Sequence, residues 1–263
     1  MKEPVQHVRS SFLLSASVLC RREVLRFLRQ RSRIIGALGS PLIFWLLLGS
    51  GVGTSFTAGS GGSSYLEYYF PGTVVLILLF TAIFATISII EDRKEGFLQA
   101  VLVAPIPRSS FVFGKMLGAT VLAVIQGVLF MLLAPLAGFS WTVIPATLLM
   151  LTLVAFSLTG LGYVIAWKME STQGFHAIMN VLLIPMWLLS GAVFPAKNAS
   201  FWLRAVITVN PLTYGLAAVR WCMYGSVMGA TMDLPPFALS VAITIGFGLL
   251  MFITSLVMTR RPA

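Results

Sequence analysis

Apolar runs of roughly span length alternate with short polar connections along most of the chain. A bilayer core about 30 Å thick takes about twenty apolar residues as helix. The runs are continuous rather than alternating, which fits helices and not the strands of a barrel. Six spans are predicted, at about 34–53, 71–90, 111–135, 142–167, 175–194 and 237–259. No charged residue occurs from Ile34 to Leu66. Pro71 stands at the predicted start of the second span, a favoured place for proline.

The segment ahead of the first span has a different pattern. In "LCRREVLRFLRQRSR", Val24, Leu25 and Leu28 share one helical arc, and Arg22, Arg26 and Arg29 share the next. This suits either a helix lying on the membrane surface with its arginines at anionic headgroups or a basic topology signal without fixed shape. Residues 1–33 are read as a separate N-terminal segment and 34–263 as one six-helix domain. The first apolar run starts at Ile34 after a long arginine-rich lead and is too long for the h-region of a cleaved signal peptide.

The stretch 195–236 is too apolar for a free loop, yet Arg204, Asn210-Pro211 and Arg220 argue against a full span. Trp202, Tyr214, Trp221 and Tyr224 suit a headgroup region. Two short helices, about 199–208 and 211–224, are expected to dip into or lie on the outer leaflet. Asn210 and Pro211 set the break between them, with Tyr214 and Arg220 packing beside it.

Composition narrows the class. Of 263 residues, 58% are hydrophobic and 10% charged, with mean hydropathy +0.94. An average soluble domain is about a quarter charged, so the solvent here is lipid. The net charge of +10 follows the loops. Except for Lys197, Arg204 and Arg220, every Lys and Arg lies in the N-terminal segment, the 91–109 connection, at Lys115, in the 168–174 connection or at the C-terminus. The positive-inside rule makes that side, with both termini, cytoplasmic. It explains the basic charge better than nucleic-acid binding, for which no basic helix or aromatic platform stands free of the spans. Cys20 and Cys222 fall on opposite sides and are not expected to pair.

Reactive chemistry is sparse. No Asp or Glu lies in the central part of a predicted span, where a proton-coupled carrier would want one. No GxSxG or HExxH motif occurs. "FVFGKM" holds a Gly-Lys pair, but Ser109 occupies the earlier glycine position of a phosphate loop and Met116 replaces its Ser/Thr. Lys115 reads as a side chain snorkelling at a helix end. A pump built on this chain would take its energy from elsewhere. An ion-coupled carrier using backbone carbonyls at broken helices is the other reading.

Against that sparse background, "EDRKEGFLQAVLVAPIPR" (91–108) crowds charges of both signs between two spans. Positions 98, 101, 102 and 105 follow helical spacing, and Pro105 and Pro107 end the run. A stubby helix results, either transmitting force or resting on the membrane with its charges solvated.

This stretch resembles the cytoplasmic coupling region of ABC-2 type transporter permeases. "LSGAVFPAKNASFWLRAVITVNPLTYGLAAVR" (189–220) is similar to the family's fifth span, external segment and "NPLTY…R" motif. Nearly the whole chain is covered, and the drug, lipid and polysaccharide exporters are the nearest subset. Phe97 departs from the Thr common at its position. The resemblance implies a non-enzymatic permease subunit without bound cofactor. ATP and magnesium belong to a separate ABC ATP-binding chain, present in two copies. A second permease subunit, most simply a second copy of this one, completes the path, which spans one, two and five line. The resemblance also implies an amphipathic drug, lipid or lipid-linked saccharide as substrate and the plasma (inner) membrane as location. The resemblance further implies that the 91–105 helix seats in an ATPase cleft. Glu91, Asp92, Arg93 and Glu95 lie at the rim around Gly96. Leu98, Val101 and Leu102 pack in the cleft or against membrane helices, up to Pro105. "KMESTQ" (168–173) adds either a smaller contact or only a solvated turn.

Overall fold

The computed structural model describes residues 11–52, 65–194, 200–231 and 234–260. Among these, eleven α-helices and no strand form. They are α1 Phe12–Leu28, α2 Arg31–Val52, α3 Tyr65–Ala85, α4 Ile87–Lys94, α5 Phe97–Val103 and α6 Arg108–Met131. After a short 3₁₀ turn follow α7 Val143–Lys168, α8 Thr172–Trp187, α9 Phe201–Val209, α10 Pro211–Thr231 and α11 Phe237–Arg260.

Six stretches are long and apolar enough to cross a bilayer: Ile34–Gly51, Tyr65–Lys94, Arg108–Met131, Val143–Lys168, Thr172–Ala192 and Phe237–Arg260. The chain is an all-helical, multi-pass membrane protein. The second stretch, α3 with α4, is its axle. It is 89% buried, whereas the first and sixth are 17% buried and turn most of their apolar surface outward. A helix that is apolar all round belongs in the interior, and α3 packs against α2, α6 and α7. Its neighbour α6 also carries α1, and α11 lies against α7 and α10.

The second span starts earlier than its sequence suggests. α3 begins at Tyr65, with Pro71 inside it and fully buried. Proline leaves the carbonyl four residues back without its helical donor. Here that carbonyl belongs to Glu67, and the Tyr224 hydroxyl of α10 donates to it at 2.8 Å. A neighbouring helix thus supplies the missing bond, as membrane helices allow.

The predicted pair of short helices is present as α9 and α10. Pro211 is the first residue of α10, and the Asn210 side chain caps it by accepting from the Leu212 N–H at 3.0 Å. The same side chain donates to the Met186 carbonyl at 2.6 Å, which ties the break to α8. α10 runs beyond the expected end at 224, bending at Gly225.

Candidate functional site

The charged connection folds as α4, a break, and α5. Gly96 makes the break with φ +78°, where an L side chain is strained. Ala104 turns extended ahead of Pro105, and α5 stops at Val103. The polar residues of α4 do not all face outward. Asp92 is fully buried. The Arg22 guanidinium forks onto its two oxygens at 3.1 and 2.8 Å, and Arg26 donates to it at 2.8 Å. Lys115 of α6 also donates to Asp92, and reaches Glu23 of α1 at 2.6 Å and the Ser88 hydroxyl at 3.2 Å. Arg26 extends the cluster to Glu91 at 3.2 Å and Glu95 at 2.9 Å.

Two expectations change here. Lys115 does not snorkel: it is 3% exposed, at the centre of an ion network joining three helices. Asp92 does not sit on a rim, because three cations of its own chain enclose it. Arg22 and Arg26, expected at headgroups, turn toward α4; Arg29 stays exposed. Partial burial pulls the Arg22 pKa down, but the hydrogen bond and charge of Asp92, with Glu23 and Glu95, outweigh that and raise it.

α1 reaches this position because α6 lets it approach. A Cβ on Gly114 would stand 2.7 Å from the Ala16 carbonyl oxygen, and one on Gly118 2.7 Å from the Glu23 Cβ. Small residues four apart let two helices meet at backbone distance. Gly114, Gly118, Lys115, Glu23 and Ser88 were missed as site residues. The available signal was "GKMLG" (114–118), a small-xxx-small pair with a lysine inside an apolar helix.

The remaining residues of the segment divide their contacts. Arg93 donates to the Trp167 and Met169 carbonyls at 2.6 and 3.1 Å and lies 5.4 Å from the Trp167 ring centroid. It thereby closes the C-terminal end of α7, where a cation is favoured. Leu98 is buried in the main core, and Val101 is half-buried against it. Glu95 and Pro105 are exposed. The side chain of Leu102 lies outside the described residues.

At the opposite end of the bundle α8 unwinds. A π-helical turn spans Leu188–Ala192, and Gly191 has φ +83°. Hydroxyls of α3 supply donors to the unwound chain: Tyr68 to the Gly191 carbonyl at 2.9 Å and Tyr65 to that of Val193 at 3.1 Å. Arg220, 4% exposed, has its guanidinium 4.4 Å from the Tyr68 ring centroid. Tyr214 donates to the Thr208 carbonyl at 2.9 Å, closing α10 onto α9.

Between these ends a cavity of about 380 Å³ opens between α2, α3 and α8, near the basic end. Phe44, Phe80 and Phe84 wall it, with His176 and Ser40 among the few polar groups.

The structure is a multi-pass helical membrane bundle with a charged, self-locked connection on one side and an apolar cavity between spans. The sequence profile of the ABC-2 type transporter family matches residues 15–224, and the chain belongs to that family. Some of its relatives carry transport names. It is 26% identical over 215 residues to the transport permease ycf38 of Cyanophora paradoxa, covering 80% of this chain and 74% of the relative. It is 28% identical over 215 residues to ycf38 of Porphyra purpurea, covering 77% and 72%. With nodulation protein J of Rhizobium leguminosarum bv. trifolii it is 27% identical over 195 residues, covering 73% and 74%. The chain is therefore a membrane permease of an ABC transporter, a family that works with an ABC ATP-binding partner.

Proposed function

We propose that this chain is the permease subunit of an ATP-driven exporter, paired with a second copy of itself and with two copies of a separate ATPase that binds ATP and magnesium. The observation that carries this reading is the attachment of α4–α5. Asp92 ties the segment to α1 and α6, Arg93 ties it to α7, and Leu98 roots it in the core. A push on the exposed side of α5 therefore moves several helices together. Glu95, Val103 and Pro105 present the surface that meets the ATPase.

The basic end faces the cytoplasm, with both termini, and the protein lies in the plasma (inner) membrane. α9 and α10 dip into the outer leaflet, with Trp202 exposed and suited to the headgroup region. The cavity between α2, α3 and α8 receives an amphipathic drug, lipid or lipid-linked saccharide. ATP binding draws the ATPase subunits together, α4–α5 follow, and the path shifts from inward- to outward-open because ATP binds the second state better.

Co-purification with the ATPase tests the reading. Glu95→Lys with Val103→Asp, both exposed on the α4–α5 segment, are expected to abolish complex formation while the permease stays folded. An intact complex with full substrate-stimulated ATP hydrolysis rules the reading out.

A further inference from the structure

The cavity of about 380 Å³ between α2, α3 and α8 is lined on its α3 side by Phe80 and Phe84, whose ring centroids stand 5.4 Å apart. Phe44 adds a ring from α2 and Phe27 one from α1. The His176 ring lies 4.9 Å from that of Phe84. No Lys, Arg, Asp or Glu is among the described lining residues. Arg26, next in sequence to Phe27, is already held by Asp92, Glu91 and Glu95. The few polar groups offer mainly lone pairs. Pro41 lies inside α2 and has no N–H, so the Ala37 carbonyl lacks its helical donor, and both residues line the cavity. The Thr81 hydroxyl gives its hydrogen to the Gln126 Oε1 at 2.6 Å, which leaves its own oxygen as an acceptor. A neutral His176 offers one accepting ring nitrogen, and Ser40 can turn either way. The phenylalanine faces are themselves negative. An anion here would find no cation, and burying an unpaired charge is costly. A cation would meet ring faces and lone pairs.

We propose that this cavity selects a lipophilic organic cation, an ammonium or phosphonium group shielded by aromatic or alkyl substituents. Its charge lies against the faces of Phe80 and Phe84, the arrangement that suits such ions. Its hydrocarbon fills the rest of the apolar wall. This choice, which rests on the cavity being the substrate site, narrows the substrate class to cationic drugs. A lipid-linked saccharide would bring a phosphate to a wall that has no cation for it.

The test dialyses the full-length permease, alone in an uncharged detergent, against tetraphenylphosphonium or tetraphenylborate, ions matched in size and shape and opposite in charge. Detergent without protein is the blank. Saturable binding of the phosphonium is expected, about ten-fold tighter than that of the borate. Phe80→Leu with Phe84→Leu keeps apolar bulk and removes the ring faces. It should weaken the phosphonium about ten-fold, the scale of two cation–π contacts, and leave the borate unchanged. Gly36→Lys sets an ammonium in the lining at a position where a Cβ meets nothing within 4 Å. It should abolish phosphonium binding and strengthen the borate, a gain that only a folded protein can show. Equal affinities for the two ions in wild type, or a preference for the borate, overturn the charge assignment; a change of either on Gly36→Lys then keeps the cavity as the site. Phosphonium binding unchanged in both variants puts the ion elsewhere and overturns the proposal together with the use of this cavity. No saturable binding of either ion does the same. None of these outcomes touches the action of α4–α5 on an ATPase, which is absent from the experiment.

Discussion

The Arg22 guanidinium carbon lies 3.7 Å from the centroid of the Phe97 ring while its nitrogens fork onto Asp92. One side chain of α1 therefore holds α4 and α5 together across the Gly96 break. The break supplies a bend, and Arg22 fixes its angle. Lysine cannot repeat this, because its ammonium neither forks nor spreads over a ring. A double-mutant cycle of Arg22→Lys and Phe97→Ala on thermal unfolding should give a coupling energy of about 1 kcal/mol, the scale of a partly buried cation–π contact. Additive effects would mean that the two side chains do not work as a unit.

Lys115 is a harsher case. Its removal leaves Glu23 and Asp92 facing a dry interior with one cation fewer. Breaking a buried charge pair by losing one partner costs about 3–5 kcal/mol, while replacing the set by apolar groups can be neutral. Lys115→Met should lower the unfolding temperature of the purified permease strongly. Adding Glu23→Gln should recover part of the loss, since Arg22 and Arg26 still serve Asp92. A Lys115→Met protein as stable as wild type would remove the network from the account of how α4 is held.

Much of the bundle was readable before any coordinates. Six apolar runs fall where six spans are found, because in lipid the backbone leaves only helices and barrels. Asn210-Pro211 and the Pro105/Pro107 stop were readable too, since proline acts locally. What stayed hidden depends on neighbours distant in the chain. Pro71 looked like a helix start because nothing local shows that Tyr224 satisfies Glu67. Lys115 looked like a snorkelling residue because its partners, Glu23 and Asp92, lie 92 and 23 residues away. The α4–α5 segment was legible as a charged short helix, but which of its charges face inward was not, for the same reason.

The approach of α1 to α6 has its own test. At Gly114 the nearest obstacle to a Cβ is backbone, the Ala16 carbonyl oxygen at 2.7 Å, which cannot swing aside. Gly114→Ala should cost about 1–3 kcal/mol, as overpacking does, and loosen α1. Limited trypsin digestion at Arg29–Arg33 should then cut faster than in wild type. Gly36→Ala is the control, since nothing lies within 4 Å of its Cβ position. It should digest at the wild-type rate. Equal rates for all three proteins would contradict the contact.

At the other end, Tyr68 has two tasks: its hydroxyl serves the Gly191 carbonyl and its ring lies beside Arg220. Tyr68→Phe separates them, keeping the ring and removing the donor. A buried carbonyl left unpaired costs about 1–3 kcal/mol, so the variant should unfold earlier. Tyr68→Leu removes both contacts and should be worse by about 0.5–2 kcal/mol, the range for a desolvated cation–π contact. If the Phe variant matches wild type, the unwound end of α8 does not depend on that bond.

The two cysteines report sidedness and the electrostatics of α1 together. Both are half-buried and free, and burial raises both thiols; the charge of Glu23 raises Cys20 further. A raised thiol pKa means less thiolate at neutral pH and slower alkylation. With a membrane-impermeant maleimide, Cys222 should label from outside intact cells and Cys20 only in inverted vesicles, both more slowly than a free thiol. Raising the pH should speed both reactions, since each thiol titrates above its ordinary value. Glu23→Gln removes a negative charge near Cys20 and should speed that reaction alone at fixed pH. Labelling of Cys20 and Cys222 from the same side would overturn the assigned topology. An unchanged Cys20 rate in the Glu23→Gln protein would place the carboxylate away from the thiol, and the α1 face that carries both against α6 would have to be redrawn.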